Sequence, residues 1–262
     1  MGFKPERIML LNIPVDIVPP EEFTKIVEKL LPQTAKQAAA KGFKSQDIVL
    51  LSVWDLLKAR RNEEYRNYLF NAALVIPISK SLVSGAKFLL GRKLYRYMPF
   101  NFVINLLSIL ERKEFPLYLL GGNSQVLRKT EKNIHTTFPS LKIVGRCESK
   151  MLRQDESVVM EAIRKSSPSL LLAGKGLRRK ELWIARNGDR LNSGLRMWCS
   201  DLFDVFAEKK RRPSDSIFDL GLENIIFCLK NPFKLYRIFL YLHYKFLLLI
   251  YKLFKKPIIK AE

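Results

Sequence analysis

The sequence has few of the side chains that build metal centres and catalytic triads. Histidine occurs only at His135 and His243, which fall on separate predicted helices. A zinc site needs several His, Cys or acidic ligands in one place, and a triad needs a histidine beside its nucleophile. We therefore expect no metal and no other cofactor. Acid–base chemistry would fall to carboxylates such as Glu148, Glu181, Asp201, Asp204 or Glu223.

Cysteine is also scarce, and the N-terminus lacks a secretion signal. Cys147, Cys199 and Cys228 form an odd, scattered set without a Cys-x-x-Cys pair, which is typical of reduced thiols in a cytosolic protein. The N-terminal stretch has no apolar run of signal-peptide length, and Glu6 departs from the Met-Gly myristoylation pattern. These features predict a protein that works on the cytoplasmic side.

Acidic residues are outnumbered, since 25 Asp and Glu stand against 46 Lys and Arg, giving a net charge of +21. Such a charge requires an anionic partner, which could be lipid, nucleic acid or a phosphate-bearing substrate. The sequence contains no zinc-finger spacing, RNP-like motif or Arg-rich arm. We therefore expect no nucleic-acid partner.

The C-terminal segment 231–256 reads NPFKLYRIFLYLHYKFLLLIYKLFKK and predicts a long amphipathic helix. Asn231 can cap it and Pro232 suits its first position. A membrane span needs about 20 mostly apolar residues, whereas the longest stretch here without a charge or histidine is Phe246–Tyr251. The segment therefore predicts a helix lying on an anionic membrane surface; the alternative is packing inside a soluble fold or against a partner.

The basic residues of this segment share one face. At about 100° per residue they fall within an arc of roughly 100°, and the rest of the surface is aromatic or aliphatic apart from His243. The members predicted to bind the membrane are Lys234, Arg237, Lys245, Lys252, Lys255 and Lys256.

Short apolar runs alternate with amphipathic stretches between Asp47 and Cys199. The apolar runs are Ile48–Val53, Leu74–Ile78, Leu117–Leu120, Leu141–Val144, Leu170–Ala173 and Leu195–Trp198, and the clearest helical stretches are Trp54–Asn71, Gln125–Phe138 and Glu156–Ser166. This alternation predicts an α/β, doubly wound fold with a mostly parallel sheet and helices on both faces. A hairpin over Ile8–Val18 and a helix over Pro20–Leu31 precede it. A charged break at Lys209–Asp215 divides the predicted core, residues 1–208, from a basic appendage, residues 209–262.

Two predicted strands end in paired glycines, Gly121-Gly122 and Gly174-Lys175-Gly176. In open α/β sheets ligands bind beyond the carboxyl ends of the strands, and glycines there let backbone N–H groups approach a phosphate. Neither segment completes a Walker A loop or a GxGxxG pattern. Phosphate contact and plain tight turns both remain open on this evidence.

The order of motifs resembles the WecB/TagA/CpsF glycosyltransferases from about Ile8 to Arg237. The matching pieces are Phe115–Gly122, Phe138–Gly145, Gly174-Lys175-Gly176 with Glu181 and Trp183, Phe203–Phe206, Arg211-Arg212-Pro213, Leu220–Glu223 and Asn231–Arg237. The resemblance implies an inverting transferase at the cytoplasmic membrane face, which moves a hexosamine-type sugar from a UDP-sugar to a polyprenyl-diphosphate-linked acceptor for envelope polymers. It also implies that the basic appendage helps complete the site.

Substrate-binding positions follow from the strand ends and from this resemblance. They are Ser52, Ser79, Arg96, Gly121, Gly122, Gly174, Gly176, Arg211, Glu223 and Arg237. The sequence leaves the oligomeric state open, a homo-oligomer included.

The departures from the family pattern fall on the chemistry. Ile78 stands where the family usually has the Asp that is proposed as general base, and an isoleucine cannot take a proton. Ser52 ends a segment that replaces the family's Thr-x-Asn, and Lys175, Arg178, Arg179 and Lys180 add positive charge near Gly176. We therefore expect a rebuilt or impaired centre, with Glu181 or Glu148 as candidate base. The alternative is a non-catalytic relative that binds nucleotide-sugar or polyprenyl diphosphate, or that scaffolds glycan enzymes.

Overall fold

The computed structural model describes residues 5–31, residues 45–221 apart from 180 and 192, and residues 236–254. Two strands near the N-terminus, β1 (Glu6–Leu10) and β2 (Ile13–Ile17), pair antiparallel as the predicted hairpin. Leu11 and Asn12 make its turn with φ of 51° and 65°. This left-handed backbone is what a two-residue hairpin turn requires.

The predicted α/β sheet is confirmed. Its strands are β3 (Gln46–Leu51), β4 (Leu74–Pro77), β5 (Leu117–Leu120), β6 (Ile143–Cys147), β7 (Leu170–Gly174) and β8 (Leu195–Ser200). The spatial order is β4-β3-β8-β7-β5-β6, and the pairs β3–β8, β8–β7, β7–β5 and β5–β6 are parallel. Most of these strands are buried along their length, as expected for a sheet covered on both faces.

Helices alternate with these strands. Within the described residues they are α1 (Pro20–Leu30), α2 (Val53–Arg61), α3 (Glu63–Asn71), α4 (Lys80–Leu90), α5 (Pro99–Arg112), α6 (Ser124–Thr137), α7 (Ser149–Gln154), α8 (Glu156–Ser166), α9 (Glu181–Asn187), α10 (Leu202–Phe206), α11 (Asp215–Leu220) and α12 (Tyr236–Phe254). A 3₁₀ turn covers Gly188–Arg190.

The predicted helical stretch Trp54–Asn71 is helical but consists of two helices, because the backbone leaves the helical conformation at Asn62. Asn62 has extended backbone angles (φ −119°, ψ 110°), so the α-helix cannot pass through it. Its N–H closes α2 on the carbonyl of Lys58, and its side-chain oxygen accepts from the N–H of Tyr65 at 2.7 Å to start α3. A single asparagine therefore caps both helices.

The residues separate into two compact units, each with its own contacts. The first unit comprises residues 1–20, 50–98 and 213–262, and the second comprises residues 21–49 and 99–212. The division predicted at residue 208 is not tested by this grouping and stays a prediction.

A buried ion pair fixes the hairpin in the first unit. The Arg7 guanidinium donates to both oxygens of Asp16 at 2.7 and 2.9 Å and to the carbonyl of Ala72 at 2.8 Å. Asp16 also accepts from the N–H of Val75, in β4, at 2.6 Å. Burial raises the pKa of Asp16 even though Arg7 and this N–H favour its charged form.

A second buried pair lies within the sheet of the second unit. Arg196 of β8 donates to the two oxygens of Asp47 of β3 at 2.7 and 3.0 Å, and these residues are direct neighbours in the parallel register. A side chain on Gly188 would meet the Arg196 guanidinium at 2.1 Å, so it would have to displace the guanidinium from this position. This ion pair therefore lies within a sheet whose other side chains are mostly apolar.

Candidate functional site

The predicted Ser52 and Ser79 lie together at the carboxyl ends of β3 and β4, in the first unit. The N–H of Ile78 donates to the carbonyl of Leu51 at 2.9 Å, and the N–H of Val53 donates to Ser79 Oγ at 3.2 Å. Ser79 is buried, whereas Ser52 is partly exposed at the start of α2. These bonds set the two serines next to Ile78, where the family pattern has its aspartate.

Asp55 provides a carboxylate at the same strand ends, beside Ser52. Sequence reasoning did not identify it. Ser52 Oγ donates to Asp55 Oδ2 at 2.5 Å, and the Ser52 N–H donates to the same oxygen at 3.1 Å. In return the N–H of Asp55 donates to Ser52 Oγ at 3.3 Å, which completes a capping box. The spacing Ser-x-x-Asp before an apolar run is the signal that could have found it.

Arg96 and Lys80, also in the first unit, hold the end of the short helix α11. Arg96 donates from Nε to the carbonyl of Ile78 at 2.8 Å and from Nη1 to the carbonyl of Phe218 at 2.5 Å. Its guanidinium lies 3.6 Å from the centre of the Phe218 ring. Lys80 Nζ donates to the carbonyls of Asp219 and Leu220 at 2.9 and 3.2 Å. Both cations thus meet the partial negative charge of a helix C-terminus.

The C-terminal helix α12 packs on α4 and α2 within the first unit. Tyr244 is fully buried, and its hydroxyl donates to the carbonyl of Ser81 at 2.8 Å. A Cβ on Gly85 would lie 2.1 Å from that hydroxyl, so α4 has a glycine where the tyrosine enters. Burial raises the pKa of Tyr244 well above its ordinary value. The sequence left two interpretations of this helix open, a position on the membrane surface and packing inside the fold. These contacts show that one face of α12 packs against the rest of the first unit.

Several predicted membrane-binding cations lie along the edge of this packed face. Arg237 lies 5.4 Å from the Trp54 ring of α2. Lys252 Nζ donates to the carbonyl of Phe88 at 3.2 Å and lies 5.6 Å from its ring, while Lys245 lies 5.5 Å from the ring of Tyr241. The remaining predicted residues of this region, Lys234, Lys255, Lys256 and the substrate candidate Glu223, lie outside the described residues.

The opposite face of α12 carries large apolar side chains that no described residue covers. They are Phe239, Leu242, Phe246, Leu249 and Leu253, all more than half exposed. At 100° per residue this face is centred opposite Tyr244. Among the described residues, no helix combines the length and the apolar character needed to cross a bilayer.

The second unit brings together the paired glycines. The N–H of Gly121 donates to the carbonyl of Cys147 at 2.8 Å, and that of Gly122 donates to the carbonyl of Lys175 at 2.6 Å. A Cβ on Gly121, whose φ is +106°, would lie 2.9 Å from the carbonyl oxygen of Gly174. These glycines allow two strand-end turns to touch, and both amides are used inside the protein. Phosphate contact there stays a prediction.

The side chains of Phe203 and Ser149 pack closely against the same glycine turns. A Cβ on Gly174 would lie 2.6 Å from the Phe203 ring, and one on Gly176 would lie 2.5 Å from Ser149 Cβ. Ser149 Oγ donates to the carbonyl of Gly122 at 2.8 Å. The candidate base Glu148 accepts from the N–H of Ser124 at 2.8 Å, so it caps α6.

Two aspartates that follow β8 neutralise the lysine between the glycines. Lys175 Nζ lies 2.7 Å from Asp204 and 3.6 Å from Asp201, and Lys210 also bonds to Asp201. Partial burial opposes ionisation of Asp201, but Lys210, Ser200 and Lys175 outweigh it and lower its pKa to about 2. Burial likewise disfavours charged Lys175, yet the two carboxylates raise its pKa. Both aspartates were among the carboxylates predicted from the sequence for acid–base chemistry, and here both pair with lysines.

The other candidates in this unit have separate surroundings. Glu181 is buried at the first position of α9. Arg211, Arg178 and Arg179 are exposed, and Arg179 has a left-handed backbone with φ of 61°. Their proposed roles stay predictions.

Comparison with known proteins gives a match over almost the whole chain. The model of the Glycosyl transferase WecG/TagA/CpsF family matches residues 8–258. The chain is also similar to the N-acetylglucosaminyldiphosphoundecaprenol N-acetyl-beta-D-mannosaminyltransferase of Bacillus subtilis (strain 168), with 21% identity over 176 residues, which cover 67% of this chain and 68% of that protein. The family match includes the strand ends of both units and the C-terminal helix.

Proposed function

We propose that this chain, which belongs to the glycosyl transferase WecG/TagA/CpsF family, transfers a hexosamine-type sugar from a UDP-sugar to a polyprenyl-diphosphate-linked acceptor. The reaction serves cell-envelope polysaccharide synthesis at the cytoplasmic face of the membrane. The similar Bacillus subtilis protein is named for the transfer of an N-acetylmannosaminyl group to a diphosphoundecaprenol-linked sugar, and that name supports the hexosamine-type sugar and the lipid-linked acceptor.

The catalytic centre is rebuilt around the hydrogen bond between Ser52 and Asp55, and this observation carries the proposal. The family's usual aspartate position holds Ile78, but the N–H of Ile78 bonds to Leu51, directly before Ser52. Asp55 Oδ2 then lies 2.5 Å from Ser52 Oγ. The aspartate that the family pattern places after β4 is absent here, and the carboxylate of Asp55 in α2 lies at the same strand end instead.

The proposed transfer step uses this pair as its proton acceptor. The acceptor hydroxyl oxygen attacks the anomeric carbon of the donor, the bond from that carbon to the diphosphate breaks, and UDP leaves with the electron pair. The acceptor proton passes to Ser52 Oγ as the Ser52 proton passes to Asp55. A positioned base of this kind contributes about 10²–10⁴ in rate.

Membrane attachment belongs to the same proposal and rests on α12. The packed face at Tyr244 fixes the helix to the first unit, and the apolar face around Phe246 points away from it. An amphipathic helix with basic residues at the edge of an apolar face suits the boundary of anionic lipids. Flotation with anionic and neutral vesicles tests this attachment, and equal recovery with both would contradict the role given to the lysines.

A second candidate function is a non-catalytic relative that binds nucleotide-sugar or polyprenyl diphosphate, or scaffolds other glycan enzymes. Ile78 favours it, as do the paired glycines, whose amides at Gly121 and Gly122 are engaged within the protein. In that case the Ser52–Asp55 pair is only a helix cap.

One experiment separates the two candidates. The protein is titrated with UDP and with UDP-N-acetylhexosamines, and turnover is assayed on a polyprenyl-diphosphate-linked acceptor. Binding with turnover supports the transferase. Binding without turnover supports the non-catalytic relative, and no binding of any donor favours a scaffold and contradicts the transferase.

A further inference from the structure

We infer that the lipid-facing surface is built from two helices, because the edge of α4 at Phe88 enters the same anionic membrane surface as α12. This inference rests on the proposed membrane attachment and adds a second element to it. It concerns only residues of the first unit.

The two helices lie side by side in parallel. Ser81 accepts from Tyr244, Gly85 contacts Tyr244 and Leu248, and Phe88 accepts from Lys252. The contacts advance along both helices in the same order, over about 10 Å at 1.5 Å per residue. The end of α4 is thereby brought beside the C-terminal turns of α12.

Phe88 is a large apolar side chain left 43% exposed at this seam. The Lys252 ammonium lies 5.6 Å from its ring. At about 100° per residue, Leu249 and Leu253 lie roughly 60° and 100° around the axis of α12 from Lys252, towards its apolar face. Both are more than half exposed. Phe88, Lys252, Leu249 and Leu253 therefore form one strip that runs from α4 onto the apolar face of α12.

This strip has the chemistry of a lipid contact. An aromatic ring and two leucines can enter the boundary of the acyl chains while the Lys252 ammonium stays at the level of the headgroups. The flexible lysine stem allows this separation without displacing the ring. Phe88 then contributes buried apolar area that α12 alone does not have.

The charges on α4 and α12 favour an anionic membrane, and not a second copy of this chain, as the partner of this strip. Neither α4 nor α12 contains an acidic residue, whereas Lys87, Lys245 and Lys252 lie on them. A twofold contact through this strip would place like charges opposite one another, which is unfavourable. Anionic headgroups provide the opposite charge.

Flotation of the full chain with vesicles of phosphatidylglycerol and phosphatidylcholine tests the inference. Phe88→Ser is compared with Phe246→Ser on α12 and with Phe70→Ser on α3, a control that is 44% exposed. Loss of a partly inserted ring should lower the partition coefficient about 3- to 10-fold for Phe88→Ser. Phe246→Ser should lower it at least as much, Phe70→Ser should change it less than about twofold, and Phe88→Leu should restore most of it.

The outcomes distinguish the inference from the proposed function. If Phe246→Ser weakens binding and Phe88→Ser does not, the two-helix surface is wrong and membrane attachment through α12 stands. If the wild-type chain does not float with anionic vesicles, both are wrong. Thermal unfolding of each variant shows whether it is folded, and a concentration-dependent dimer abolished by Phe88→Ser would assign the strip to self-association instead.

Discussion

Tyr244 occupies the space that a side chain at Gly85 would fill, since a Cβ there would lie 2.1 Å from the tyrosine hydroxyl. The two residues are far apart in the sequence, but the missing side chain of Gly85 leaves the space that the Tyr244 hydroxyl occupies. This fit fixes the orientation of α12, and with it the direction in which the apolar face points. The C-terminal helix α12 is thus an integral part of the first unit.

Gly85→Ala should lower the free energy of unfolding by about 1–3 kcal/mol, because the new methyl group overpacks the contact. Tyr244→Phe should cost about 1 kcal/mol through the lost hydrogen bond to Ser81. In the double variant the penalty of Gly85→Ala should shrink, because the nearest opposing atom is gone. Urea denaturation of the four proteins measures this coupling, and strict additivity would contradict the fit described.

Arg196→Met or Asp47→Ala should each cost about 3–5 kcal/mol, because each leaves an uncompensated charge within the sheet. The matched control is Arg164→Ala, which removes an exposed pair with Glu161 on α8 and should leave the free energy of unfolding almost unchanged. The same denaturation assay applies. A loss for Arg196→Met as small as that of the control would show that the buried pair is not important for stability.

Lowering the pH should reduce the contribution of the charge cluster around Asp201 to the free energy of unfolding. Its pKa is lowered from 3.8 to about 2 in the folded protein, so its contribution is fully present above about pH 4 and is lost as the pH falls towards 2. After allowance for solvent screening the contribution is on the order of 1 kcal/mol. The stability gap between wild type and Asp201→Asn should therefore close between pH 4 and pH 2, and a gap that is independent of pH in this window would contradict the assignment.

The C-terminal end of α11 should exchange its amide hydrogens faster when its cationic partners are removed. Arg96→Ala and Lys80→Ala each delete donors to the carbonyls of residues 218–220. Lys87→Ala, an exposed lysine on the same helix as Lys80, is the matched control and should leave exchange unchanged. Hydrogen exchange followed by mass spectrometry of peptides covering 215–221 measures the effect. Equal protection in all four proteins would mean that these cations do not hold the helix.

Much of the fold could be predicted from the sequence because buried parallel strands are continuous apolar runs bounded by turn residues. The runs at Leu117–Leu120 and Leu170–Ala173 are examples, and both are strands. The break at Asn62 was missed because helical periodicity continues on either side of it. Only the side-chain hydrogen bond of an asparagine, which competes with the helix, stops α2 there.

The site was less predictable, because its contacts join distant residues. The strand ends and the family resemblance together predicted Ser52, Ser79 and Arg96 as substrate-binding positions. They could not show that the amides of Gly121 and Gly122 bond to other turns, or that Tyr244 meets Gly85. The capping-box spacing Ser-x-x-Asp marks Asp55, but the family resemblance places the aspartate after β4 and so does not point to α2.

The rate of sugar transfer by Asp55→Asn tests the central claim most directly. The assay uses a UDP-N-acetylhexosamine and a polyprenyl-diphosphate-linked acceptor, with UDP binding measured on the same preparations, and the control is Glu63→Gln, which changes an exposed carboxylate of α3. The account predicts that wild type turns over, that Asp55→Asn loses about 10²–10⁴ in kcat with UDP binding retained, and that Glu63→Gln keeps a rate close to that of wild type. An Asp55→Asn enzyme that keeps the wild-type rate would contradict the account.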